Sequence, residues 1–176
     1  MTPYDFAKIA EERDLERALE GVFEEAHEKW TDERMELNDE EVWTDEQSAA
    51  CLTEGQITVL VVETYFGEVL NGGHYQYLSN ESGGLANFAP AVLRRVGLGE
   101  FAPVIHAFIS LFPNGKVPED ADERQEALDS IAESHDDEFL EGLDTRFFDL
   151  CPEGHEFFRA KLVAYVINHE DQFVND

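Results

Sequence analysis

Positive charge is scarce in this chain. Four lysines (Lys8, Lys29, Lys116 and Lys161) and eight arginines stand against 40 acidic residues, for a formal net charge of −28. A surface so short of cations has little with which to neutralise phosphates, which argues against nucleic acid and anionic membrane as direct ligands. Long apolar runs are missing too, and none approaches the roughly 18 residues of a membrane span. Met1-Thr2-Pro3-Tyr4-Asp5 carries neither a basic region nor an apolar segment, so the sequence gives no support for secretion and the expected location is cytoplasmic. Cysteine is limited to Cys51 and Cys151, which match no metal or redox spacing and are read as reduced, buried thiols. The HExxH, P-loop, GxGxxG and GxSxG spacings do not occur. Asp120-Ala121-Asp122 opens like a calcium loop, but Gln125 stands at its glycine position and Ile131 at its final glutamate. His155-Glu156 and His169-Glu170-Asp171 are better read as solvated helix faces than as a joint metal site. No catalytic residue, metal or cofactor is expected.

What remains is acid in a pattern. Glu12, Glu16, Glu20, Glu24, Glu28, Asp32, Glu36 and Glu40 fall at every fourth position. On an α-helix this makes a slowly drifting stripe with one carboxylate roughly every 6 Å. Like charges at this spacing each destabilise a helix by about 0.2–0.5 kcal/mol, so the run is hard to explain as a folding device. The charge is also unevenly placed. Residues 11–46 hold 16 acids and 4 bases, residues 113–149 hold 13 and 3, and the apolar middle, 47–112, holds only 5 and 2. Such a chain suits a basic protein partner. Adaptation to high salt is the competing explanation, because it too favours acidic, lysine-poor surfaces.

A hydrophobic fraction of 43 %, with 13 Phe, is enough for a sizeable core, and 176 residues fit one domain. The pattern is helical nearly throughout. Thr2, Pro3 and Asp5 resemble a helix start. Leu15, Ala18, Leu19, Val22, Phe23, Ala26 and Trp30 then form one apolar stripe, with the acidic ladder beside it. A break is expected near Thr31 or Asn38. Thr44 with Gln47, and Thr53 with Gln56, have capping-box spacing. The run Ile57–Phe66 favours a strand by propensity, but Gln56, Glu63, Gly67 and Asn71 keep a helical period and predict a buried helix over 57–70. Asn71-Gly72-Gly73 is expected to stop it, with one glycine at positive φ. Further helices are expected over about 85–96, 100–112, 120–133, 137–148 and 153–169. The expectation is a single all-α domain over 1–176, its acidic region 1–46 packed on a core of 47–176.

The string from Phe66 to Gly83 is the most distinctive local feature. It contains Asn71-Gly72-Gly73, then Tyr75-Gln76-Tyr77, then Asn80-Glu81-Ser82-Gly83. It resembles the signature of a bacterial family of domains of unknown function (domain of unknown function 4375) that includes a protein regarded as a DNA mimic. The resemblance is concentrated in residues 60–83 and extends loosely to about 170. His74 stands where a Phe is more usual. The resemblance implies a helical fold and raises the expectation of a non-enzymatic protein that binds a basic, DNA-binding protein through the Glu12–Glu40 ladder. A homodimer would suit a partner with spaced half-sites. Read from its residues, the string is architectural: Tyr75, Tyr77 and Leu78 pack, while Gln76, Asn80 and Ser82 satisfy backbone ends. The alternative is a small-molecule pocket lined by His74, Tyr75, Gln76 and Asn80.

Overall fold

The computed structural model describes residues 15–36 and 50–173, with the side chains of 15, 33–36 and 137 outside that description. Among the described residues every regular element is helical. The α-helices are α1 (Leu15–Glu36), α2 (Glu54–Ser79), α3 (Ala89–Arg95), α4 (Ala102–Ile109), α5 (Ala121–Ser134), α6 (Asp137–Leu150) and α7 (His155–Asn168). Short 3-10 turns occupy Glu81–Phe88, Pro113–Gly115 and Glu170–Gln172. Among these residues no helix is long and apolar enough to cross a membrane.

Helix α2 is the axis of the fold. Thr53 caps it, accepting from the Gln56 backbone while the Gln56 side chain accepts from the Thr53 N–H, the reciprocal box that the spacing predicted. Val59, Leu60, Val61 and Val62 are all fully buried, so the helix is covered on every side. Burial of this apolar run outweighs the β preference of its branched residues, since propensity is a weak prior beside tertiary packing. Helices α1, α3, α5, α6 and α7 and the Glu81–Phe88 turn all pack against it. Tyr65, Phe66, Phe101, Phe147 and Phe158 make the aromatic centre, with Phe66 stacked on Phe158 at 4.5 Å between centroids and Tyr65 edge-on to Phe147 at 5.6 Å.

Helix α1 lays Ala18, Leu19, Val22, Ala26 and Trp30 against this core at three- and four-residue spacing. It runs unbroken through Thr31 to Glu36, so the expected break at Thr31 does not occur; Asn38 lies outside the described residues. Glu25 ties the helix to α2, bonding Lys29 at 2.9 Å and accepting from Gln56 Nε2 at 3.2 Å. Helix α5 starts at its Asp120 cap, as expected. The single helix expected over 85–96 is instead a 3-10 turn that yields to α3 at Ala89, with Pro90 in the first turn. Cys151 is buried and Cys51, expected to be buried too, is half-buried; neither forms a disulfide.

Candidate functional site

Within the ladder, Glu16, Glu20, Glu24, Glu28 and Asp32 sit on α1, and all five are exposed. Only Glu20 approaches a described cation, Arg159 Nη1 at 4.0 Å, a surface contact of little energetic weight. The off-ladder Glu25 faces α2 and is already paired. The helix thus turns the paired Glu25 inward and the ladder carboxylates outward. Glu12, the side chain of Glu36, and Glu40 lie outside the described residues, as do the Thr44–Gln47 box and the Thr2–Asp5 start. A second exposed set, Asp122, Glu123, Glu126, Asp129 and Glu133, lies on α5.

The Asn71-Gly72-Gly73 turn kinks α2 rather than stopping it. Gly73 takes φ 76°, as the turn reading required, and the helix resumes at His74 and runs to Ser79. The continuation depends on a residue 70 positions away. Asp144 of α6 accepts from the His74 backbone N–H at 3.0 Å and from its ring Nδ1 at 2.5 Å, supplying the acceptor that the broken helix lacks. A Cβ on Gly73 would collide with that carboxylate, so the position is closed to side chains by space as well as by φ.

His74 is fully buried, stacked on Phe108 at 4.2 Å. A carboxylate only accepts, so Nδ1 carries the ring proton and Nε2 accepts from the Tyr65 hydroxyl at 3.0 Å. Burial holds the His74 pKa below its ordinary 6.5 even though Asp144 pulls it up, and burial also raises Tyr65 well above its usual value. The Asp144–His74–Tyr65 chain is therefore a neutral-ring joint, its ring and phenol buried in the core and its carboxylate partly exposed at the edge. Because the folded-state pKa lies below the unfolded one, its stabilisation is complete above about pH 6.5 and falls as the pH drops toward the folded value, by at most about 1.4 kcal/mol per unit. His74→Phe, which keeps the stacking and removes the titration, should be less stable than wild type at pH 7.5 but lose the gap as pH falls to about 5. Urea melts across that range check this; a constant gap would mean that His74 protonates equally in both states.

The second half of the string builds another joint. Arg124, only 1 % exposed on α5, donates to four backbone carbonyls: Leu78 at 2.8 Å, Asn80 at 3.1 Å, Pro118 at 2.9 Å and Glu119 at 2.8 Å. It closes the C-terminal end of α2 onto the entry to α5. Gly83 is required at this point, since a Cβ would run into the Leu78 carbonyl and come within 2.9 Å of Arg124 Nε. Sequence reasoning missed Arg124, which looked like one cation in an acidic block; its place beside a capped helix start was the only available clue.

Gln76 and Asn80 do not satisfy backbone ends as expected. Both side-chain amides converge on Glu68 Oε2, at 2.7 and 2.8 Å. Ser82 is buried, and among the described residues its Oγ has no hydrogen-bond partner. Tyr77 and Leu78 are in the core, whereas Tyr75 is 44 % exposed, its hydroxyl donating to Asp129 at 3.2 Å. The four residues of the pocket alternative are not brought together. Tyr75 borders an apolar cavity of about 250 Å³ between α4, α5 and α6. Asn80 borders a separate cleft of about 690 Å³ of mixed polar and apolar lining between α1, α2, the start of α7 and the Glu81–Phe88 turn. His74 and Gln76 line neither of these two. Among the described residues no group of three ligating side chains could hold a metal.

Neither a curated protein nor a solved structure matches the chain. A protein-family model does, that of the DMP19-like protein, over residues 50–169, a stretch that contains both joints and the whole of the Phe66–Gly83 string. By that match, which spans well over half its length, the chain belongs to the DMP19-like protein family.

Proposed function

We propose that this chain is a non-enzymatic, cytoplasmic protein that occupies the DNA-contacting surface of a basic protein, with carboxylates standing in for phosphates. The observation that carries the reading is the exposed series Glu16, Glu20, Glu24, Glu28 and Asp32 on one helix, held clear of the paired, inward Glu25. The resemblance of the Phe66–Gly83 string to a family with a DNA-mimic member, and the family match over residues 50–169, support it. The charge density is adequate. The ladder places one charge per roughly 6 Å of helix axis, against 3.4 Å for one DNA strand, and other exposed acids add to it. A net charge of −28 would also steer a basic partner toward the surface before contact.

The test is capture. Protein immobilised through its C-terminus is incubated with a lysate of the cells that encode it, then eluted by salt steps and, separately, by duplex DNA. The expected result is a DNA-binding protein retained at about 50 mM salt and released by about 200 mM, the range over which polyanion contacts weaken most steeply. Duplex DNA should displace the same protein. Retention that DNA cannot compete away, or no basic protein retained at low salt, overturns the reading.

A further inference from the structure

The cleft between α1, α2, the start of α7 and the Glu81–Phe88 turn is not explained by a charged surface alone. The family string itself supplies one side of it: Gly67, Glu68, Asn71, Asn80, Glu81 and Ser82 all line it. We propose that this cleft receives the guanidinium of an arginine side chain carried by the basic partner, an anchoring point within the interface of the preceding section. The inference rests on that reading for its partner but has its own site and its own test.

Three features favour a guanidinium. The Glu68 carboxylate is fixed in place, because Gln76 and Asn80 both bond its Oε2; Oε1 has no described hydrogen-bond partner. A pre-oriented carboxylate suits the rigid donor fork of arginine better than the point charge of lysine. Ser82, which also lines the cleft, is 7 % exposed, and among the described residues its hydroxyl has no hydrogen-bond partner. Phe23 of α1 also lines the cleft and is only half-buried, and an aromatic face within about 6 Å attracts a guanidinium. Arg159 is not among the residues that line the cleft and pairs with Glu63 at 3.3 Å. The exposed Glu81 adds a second free carboxylate at the edge. Gly67 leaves the floor open, with no atom within 4 Å of where its Cβ would stand.

The test uses full-length protein carrying Trp43→Phe, so that Trp30 is the remaining indole, and N-acetylarginine amide as probe. Trp30 fluorescence and the side-chain amide NMR signals of Asn80 and Gln76 should shift saturably. N-acetyllysine amide should bind at least about tenfold more weakly, because an ammonium lacks the fork. Gly67→Leu fills the cleft at a helical position where leucine is the better helix former, so the fold should persist while arginine binding falls at least about tenfold. Glu81→Gln should weaken binding less. Absence of saturable shifts, equal affinity for lysine, or unchanged binding in Gly67→Leu overturns the proposal. The two readings fail separately. Replacing the ladder glutamates should leave arginine binding intact, and a captured partner that binds Gly67→Leu as well as wild type would remove the cleft from the interface while leaving the mimic surface standing.

Discussion

Arg124→Met is expected to destabilise the fold by about 3–5 kcal/mol, the largest single-residue effect in this protein. The side chain is buried, and its donors hold the carbonyls of Leu78, Asn80, Pro118 and Glu119. Methionine fills similar space but donates nothing. Each buried carbonyl left without a partner costs about 1–3 kcal/mol, and water reaching the outer ones reduces the sum. In a chain of this size the loss should lower the melting temperature by about 6–20 °C, at 2–4 °C per kcal/mol. Arg124→Lys, with one compact ammonium for four acceptors spread across two helix ends, should fall between the two. Gly83→Ala should mimic the methionine variant from the other side, because its methyl group displaces the guanidinium or the Leu78 carbonyl. Denaturant melts of the three proteins decide the matter; losses under about 1 kcal/mol in all of them would show that the α2–α5 junction is held by something else.

The second large effect is on binding. Changing Glu16, Glu20, Glu24 and Glu28 together to Gln removes four exposed charges and keeps helix propensity nearly constant. At low salt the variant should be slightly more stable than wild type, by about 1 kcal/mol, because four like-charge pairs four residues apart on α1, Glu28–Asp32 included, are relieved. The Glu20–Arg159 contact, at 4.0 Å, is too weak to offset this gain. Affinity for the captured partner should move the other way. At about 0.2–1 kcal/mol for each exposed pair lost, the variant should bind roughly 4- to 1,000-fold more weakly, with a shallower salt dependence. Salt adaptation predicts a different pattern: wild type would require molar salt to fold, the variant would fold better without it, and affinity would not change. Isothermal titration beside thermal melts across salt separates the two, and equal affinity of wild type and variant would sink mimicry by this face.

Local chemistry in the sequence reached some elements and not others. The Thr53–Gln56 box, the Asp120 cap and the apolar stripe of α1 were legible because each is decided within four residues. The helical period of Gln56, Glu63, Gly67 and Asn71 correctly overrode a β-branched run, since period reports which face is buried. The Asn71-Gly72-Gly73 turn was read as a stop because glycine and positive φ usually end a helix. Its continuation hangs on Asp144, and a partner 70 residues distant leaves no local trace. Arg124 was hidden in the same way: cations in acidic blocks are normally solvated, and only the fold brings four carbonyls around this one. Glu68 looked like one more acid, yet it organises Gln76 and Asn80. The exposure of Glu16 to Asp32 was readable from the apolar stripe that they avoid, whereas the cleft between α1 and the string required both elements in place.

The fourfold spacing of the ladder carries one more consequence, and it concerns handedness. Four residues advance an α-helix by about 400°, so each carboxylate is turned about 40° beyond the last in the helix's own right-handed sense. The stripe on α1 is therefore itself a right-handed spiral, completing a turn in about 54 Å, whereas the DNA backbone turns in about 34–36 Å. A threefold spacing would have wound the charges to the left. A protein shaped to follow a right-handed polyanion meets charges on α1 that curve in the sense it already tracks, only more slowly. From Glu16 to Asp32 the spiral sweeps about 160°, so a flat partner surface touches only part of the ladder while a concave one engages it along its length.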